Sequence, residues 1–424
     1  MRNLLRLSLL CVVSFTITSC VLDNPVSEVP EPSEFEYNYW LLSHWYLNPE
    51  ELHEPDFYDG QVNALYNELS DSYTRYIPPS ISQEVEQEIN SSVVLGDIGI
   101  ETLLNKKSEF PLFIYRVYPS SPAAKAGIER YSTIISINDV SLNIEDAYEV
   151  YQKEFSGHKE IKLVVLKDNA FHTFSVIKEM VYAPTVFLDT ISGIPIISIE
   201  SFKPNTWDQV NGSFGEMKAL LKETKTAPLR VLDLRNNLGG HIQQCIDMAD
   251  LFVASGVLSS RSYKKIKADG TTGDFKTVSF ATPGGEGEDG EFILLVNQNT
   301  ASCAEIFTAA VAENRKFIIV GEKTYGKGVG QNTWKTKNNG LAIITSMVFE
   351  TPNGSIYNGY GIQPDILCEK ASHACLFDFI QKKHAIQFKK SPGYDLNYIL
   401  PTRLFSSRNF GGAIIKQEIL NENK

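Results

Sequence analysis

The chain has no CxxC pair, no HExxH and no cysteine–histidine spacing of a zinc site, so its 6 cysteines and 7 histidines give no ground for a metal centre. Beyond the N-terminus no run of 18 or more apolar residues occurs, which removes a bundle of membrane helices from consideration. Basic residues are in deficit as well. Against 51 Asp and Glu stand 39 Lys and Arg, a net charge of −12, and no dense Lys/Arg stripe offers nucleic acid a phosphate-binding field. Internal repeats are absent too. What remains is an ordinary globular balance, 43% hydrophobic and 21% charged, in 424 residues, more than one core usually serves; two or three domains are expected.

Residues 1–19 carry Arg2 and Arg6, an apolar stretch from Leu7 to Ile17 and then small residues, the pattern of a secretion signal. The end of that stretch, Ile17-Thr18-Ser19-Cys20, resembles a bacterial lipobox, which makes Cys20 the expected lipidation site; a plain signal cleaved near Ser19 is the alternative. The expected location is therefore the bacterial cell envelope, exported and lipid-anchored, facing the periplasm or the cell surface. Residues 20–36, rich in proline and acid, read as a solvated tether.

Residues 37–90 place Leu41, Leu42, Trp45, Tyr46, Leu65, Tyr66 and Leu69 at helical spacing, broken near Pro49 and Pro55, with LSDSYTRYIPP (69–79) closing a helical region. Residues 91–181 alternate in short strands between turn residues, a small β-rich domain. From 182 to 380 buried strands alternate with helices, as in an α/β core. The Gly- and acid-rich stretch 270–291 reads as a loop or hairpin, and 381–424 as a C-terminal tail without a motif. Cys368 and Cys375 are close enough in sequence for a disulfide, whose geometry sequence cannot establish.

Chemistry concentrates in residues 299–331. Ser302 follows a buried strand and opens a helix, where free backbone N–H groups and the helix dipole favour a developing alkoxide or oxyanion. The same residue type also serves as an ordinary helix cap. Lys327 lies 25 residues on, between Gly326 and Gly328; a lysine acts as general base only if burial lowers its pKa. The turn VLDLRNNLGGH (231–241) carries Gly239 and Gly240, which can aim backbone N–H groups at a substrate; a tight structural turn is the other reading. His241 is the one histidine beside a motif.

These segments resemble the carboxyl-terminal processing (tail-specific) proteases, over roughly residues 60 to 370. Thr300-Ala301-Ser302-Cys303-Ala304-Glu305 and Gly321-Glu322-Lys323-Thr324-Tyr325-Gly326-Lys327-Gly328-Val329-Gly330-Gln331 are similar to the family's nucleophile and lysine segments, Cys303 and Ala304 being mild departures. The resemblance implies that Ser302 is the nucleophile, Lys327 the base, and Gln331 the residue orienting the lysine. An oxyanion hole would comprise the Cys303 N–H and one of the Gly239 and Gly240 amides. Gly359-Tyr360-Gly361-Ile362-Gln363-Pro364-Asp365 resembles a structural signature of the family, and Glu313 falls where members often carry an acid.

VVLGDIGIET (93–102) and VYPSSPAAKAGIERYSTIISINDVSL (117–142) resemble two segments of a PDZ domain, with Ile98, Gly99 and Ile100 expected to hold a peptide carboxylate. The implied fold is an α/β protease core of the β-β-α, crotonase-like type with an inserted PDZ-like domain and an N-terminal helical region. The implied function is a serine endopeptidase acting on exported proteins through their C-termini, with no cofactor. Homo-oligomerisation stays open. The alternatives are an idle peptide-binding scaffold and a thiol enzyme using Cys303, which would need a His or Lys beside that thiol.

Overall fold

The computed structural model describes residues 31–105, 108–267, 271–368 and 373–384. The expected signal segment, Cys20, most of the tether and the tail from residue 385 lie outside the described residues.

The first helix, Glu34–Trp45, begins inside the stretch read as tether. Its start is fixed by a capping box, which composition alone hid: Glu36 N–H donates to Ser33 Oγ at 3.1 Å, and Ser33 N–H to Glu36 Oε2 at 2.5 Å. Helices Val62–Asn67 and Pro79–Asn90 follow. The segment expected to close a helical region does something else. Arg75–Ile77 is a strand, paired antiparallel with Leu341–Ile343 of the long strand Leu341–Glu350. Three residues are too few to show a period, so only the tertiary partner reveals it. Phe35, Leu41, Leu42, Tyr46, Leu65 and Tyr66 pack with Ala342 and Ile344 of that strand in one apolar cluster.

Residues from Val93 to Tyr182 form the β-rich unit. Strand Ile100–Leu104 is the edge of a six-stranded sheet, followed across it by Leu112–Val117, Thr133–Ile137, Glu160–Lys167 and Ala170–Ile177, with Val140–Ser141 paired to Thr133–Ile137. Helix Ala147–Gly157 supplies Ala147 and Tyr151 to its core.

The α/β core is a mostly parallel sheet running through Val186–Ile191, Ile194–Ile199, Leu229–Asp233, Glu291–Val296, Ile318–Gly321 and Ile366–Leu367. Alternation decides which face each side chain covers. Ile197, Ile199, Leu232, Leu294 and Val296 meet helices Gly212–Glu223, Ile242–Asp250 and Cys303–Arg315. Ile196, Val231, Ile293 and Leu295 face the helix His373–His384, which extends four residues into the stretch read as tail. A disulfide joins Cys368 to Cys375 with 5.9 Å between their Cα atoms. A second, antiparallel sheet is built on Leu341–Glu350, flanked by Val257–Ile266 and Val329–Lys335. The stretch 270–291 holds the strand Thr272–Phe280, the return arm of a hairpin from Val257–Ile266.

Because Ile344 is fully buried where the N-terminal helices meet this sheet, Ile344→Ala should cost about 2–5 kcal/mol in urea unfolding. One cooperative transition is expected, and loss of the helices in a separate earlier step would show that the N-terminal region folds apart from the core.

Candidate active site

The turn at the end of Glu291–Val296 is stitched to the turn after Leu229–Asp233. Ala301 N–H donates to Asn237 O at 2.9 Å, Thr300 Oγ1 to Leu234 O at 3.0 Å, and Asn297 Nδ2 to Asn236 Oδ1 at 2.9 Å. Ser302, half-buried, then caps helix Cys303–Arg315 with φ 57° and ψ −121°, a region sparsely populated by any residue but glycine. Strain of this kind persists only where surrounding bonds over-determine it.

Glu305 supplies them. Its carboxylate is fully buried and accepts four hydrogen bonds: Ser302 N–H at 2.9 Å and Lys327 N–H at 2.8 Å on Oε2, Gly326 N–H at 2.7 Å and Thr324 Oγ1 at 2.6 Å on Oε1. One oxygen thus grips the backbones of Ser302 and Lys327 together, two hydrogen-bond lengths apart. Four donors converging on an acceptor favour the carboxylate, against burial, which pushes the Glu305 pKa upward.

Lys327 is held by the turn Thr324–Gly328 against residues 357–362. Gly326 has φ 90°, and a Cβ there would lie 2.7 Å from Gly361 N, so no other residue fits. The lysine amine is enclosed. Burial first, and then the nearby charge of Arg75, bring its pKa down from 10.5 to about 8, opposed by Cys303, Asp71 and Glu305. Its Nζ rests 4.2 Å from the centroid of the Tyr73 ring, and no hydrogen bond joins it to Ser302 Oγ or to Gln331. Gln331 instead donates to Thr345 Oγ1 at 3.0 Å, and Thr345 N–H to Thr74 Oγ1 at 2.9 Å. It is therefore tied to the same N-terminal segment that covers the lysine.

Gly239 and Gly240 do not contribute alike. Gly239 lies against Ser302, where an added Cβ would stand 2.8 Å from Ser302 Cβ, but its N–H is taken by Asn237 Oδ1 at 2.8 Å. Gly240 is exposed and its N–H is left without a protein partner, as is that of Cys303 at the first helical position. Asp233 and Arg235 pair with each other at 2.6 Å and hold the turn. The Cys303 thiol is buried and lies 3.2 Å from Gly240 O, turned away from solvent. His241 is exposed, and Glu313 accepts Asn353 N–H at 2.9 Å, anchoring a distant turn.

At the second expected site the loop brings an acceptor of its own. Asp97 Oδ1 accepts Gly99 N–H at 2.6 Å, so one of the amides expected to hold a ligand points at its own neighbour. The physical reason is the short Asp side chain, which readily bonds backbone N–H groups just ahead of it. Sequence reasoning also missed Glu305, Tyr73 and Arg75. Glu305 stood three residues after Ser302, the spacing of a capping box, and was legible; Tyr73 and Arg75 had no local signal.

Replacing Glu305 with Gln puts an amide NH2 against backbone donors and should cost about 3–5 kcal/mol of stability in denaturant titration, with proteolysis falling in parallel. An unchanged midpoint would show that this carboxylate does not hold the site.

The sequence profile of peptidase family S41 matches residues 193–368, the stretch that carries Gly239, Gly240, Ser302, Glu305 and Lys327. A CtpA-like serine protease of Staphylococcus aureus is 29% identical over 319 residues, and one of Staphylococcus haemolyticus 26% over 342 residues. These alignments take in 74% and 80% of this chain; the chain spans 60% and 65% of those relatives' length. An S41 protease structure from Bacteroides fragilis shares the fold, with a TM-score of 0.57 at 14% identity, covering 84% of this chain and 99% of that one. Through this α/β domain the chain matches the profile of peptidase family S41 and is similar to CtpA-like serine proteases.

Proposed function

We propose that the chain is a serine endopeptidase with a Ser302/Lys327 dyad. The observation that carries this reading is the shared grip of Glu305 Oε2 on the N–H groups of both residues, with the lysine amine buried and its pKa near 8. As Ser302 Oγ attacks the scissile carbonyl carbon, its proton passes to Lys327 Nζ. The lysine stem swings from the Tyr73 face to the hydroxyl for this step. The oxyanion is received by the N–H groups of Cys303 and Gly240, both unengaged and at the positive end of helix Cys303–Arg315. Collapse of the intermediate breaks the peptide C–N bond as Lys327 returns the proton to the leaving amine. Water then hydrolyses the acyl-enzyme, with the same lysine as base. Gln331 positions this machinery through Thr345 and the 71–75 segment.

The unit from Val93 to Tyr182 is read as an inserted PDZ-like domain, and the core with its two sheets as the crotonase-like type. Support for the former is the edge strand Ile100–Leu104, able to accept a polypeptide by strand addition. The signal-like N-terminus and Cys20 support an exported, lipid-anchored protein acting on polypeptides at the cell envelope.

Ser302→Ala and Lys327→Ala, each verified as folded, should abolish cleavage of unfolded casein; activity surviving in either variant would sink the dyad. Because Lys327 acts only when neutral, kcat/KM should rise with pH to a midpoint of about 8. Removing a neighbouring positive charge raises a lysine pKa, so Arg75→Met should move that midpoint to higher pH. A profile unmoved by Arg75→Met would remove Arg75 from the site. Peptide binding without cleavage under all conditions would leave a scaffold.

A further inference from the structure

The peptide-facing loop of the β-rich unit carries its own anion. Residues 97–100 run from Asp97 through Ile98 and Gly99 into the edge strand, and the chain here is fixed on every side. Ile98 is buried, with its carbonyl accepting Ala123 N–H at 2.8 Å. Gly99, at φ 80°, faces Ser121 so closely that a Cβ would fall 2.3 Å from Ser121 Cβ. Its carbonyl accepts Tyr118 N–H at 2.8 Å. The Gly99 N–H donates to the Asp97 carboxylate at 2.6 Å.

We propose that Asp97 sets the ligand class of this surface: the edge strand Ile100–Leu104 takes an internal, extended stretch of polypeptide rather than a free C-terminus. This rests on the PDZ-like reading of the unit. A terminal carboxylate is captured by consecutive backbone N–H groups in a Gly-containing loop, and it gains charge-assisted bonds there. Here the Gly99 N–H already serves a carboxylate, so an incoming one would have to displace it and would meet like charge. Glu101, one residue into the strand, adds a second acidic group, bound by Arg116 at 3.1 Å and by the Tyr118 hydroxyl at 2.6 Å. The charge of Asp97 also reaches Tyr151 on helix Ala147–Gly157, so the acid is set between the loop and that helix. Lys178 is the cation that faces Asp97. Pairing along Ile100–Leu104 needs none of these amides. The strand bonds Leu112–Val117 on one side and ends the sheet on the other, so an extended segment of any chain adds to it through main-chain bonds alone.

The test uses the full chain carrying Ser302→Ala, so that ligands stay intact, and fluorescence anisotropy with three versions of one apolar peptide. One ends in a free carboxylate, one in a carboxamide, and one continues into further residues. With Asp97 present the three should bind within about twofold of one another. Asp97→Gly, which empties the loop, should then prefer the free acid by at least about tenfold, the worth of charge-assisted hydrogen bonds regained. Asp97→Asn keeps the turn oxygen while removing the charge and should fall between them, which covers a glycine variant that folds poorly. Thr102→Pro, which removes an edge N–H, should weaken all three peptides alike. A tenfold preference for the free acid with Asp97 in place would overturn the proposal. An Asp97→Gly protein that binds like its parent would remove Asp97 as the determinant while leaving the PDZ-like reading intact. Failure of every peptide to bind every variant would overturn both.

Discussion

A buried carboxylate with no cation bonded to it is expensive unless its lone pairs are filled, and Glu305 fills them with four donors from two separate segments. That single requirement organises the site. Two of the donors are the backbones of Ser302 and Lys327, so satisfying the carboxylate brings these two residues to one oxygen whatever their side chains do. Thr324 extends the network, because its hydroxyl also accepts Ile362 N–H at 2.7 Å and so locks the lysine turn to the loop beyond Tyr357. The arrangement also accounts for the unusual backbone of Ser302. With its N–H bonded to Glu305 and the Glu305 N–H returned to Ser302 O at 2.8 Å, the residue cannot relax toward an ordinary helical cap.

The lysine is tuned by a different part of the chain. Desolvation lowers its pKa, yet the enclosure comes from Tyr73 and Arg75, which belong to the strand Arg75–Ile77 and the turn before it. Arg75 donates to Tyr73 O at 3.1 Å, which fixes the ring that faces the amine. A cation over an aromatic face is stabilised by about 0.5–2 kcal/mol, so Tyr73 favours the ammonium that forms during attack while Arg75 favours the resting amine. The two effects oppose each other, as the proposed role of Lys327 as a base near neutral pH requires.

The sequence made the segments of the candidate site legible because strand, turn and helix each leave local marks: a buried run before Ser302, glycines about Lys327, a Gly-Gly turn at 239–240. Other features left marks that composition obscured, such as the Ser33–Glu36 capping box inside an acidic, proline-rich stretch. The remainder was invisible for a physical reason. Tyr73 meets Lys327 across some 250 residues of sequence, through a strand of three residues whose pairing is decided only by Leu341–Ile343. The unequal surroundings of Gly239 and Gly240 depend on which of them Asn237 Oδ1 reaches, and the Asp97 bond to Gly99 N–H depends on one side-chain rotamer. Neither is a property of residue type or spacing.

The β-rich unit and the core are joined by buried charge rather than by apolar surface alone. Arg116 pairs with Glu101 in its own sheet and with Glu200 of the core, stacked 3.6 Å over the Phe187 ring; Arg130 and the hydroxyl of Tyr115 converge on Asp189. Burying these groups gains little net stability over an apolar contact, but breaking one pair strands its partner in a dry interface. The interface therefore resists small sliding and favours discrete arrangements. Glu200 stands two residues before Phe202, whose backbone accepts His241 N–H at 2.7 Å and donates to Gly239 O at 3.1 Å. Through this backbone the Arg116–Glu200 pair of the interface is linked to the turn bearing Gly239 and Gly240.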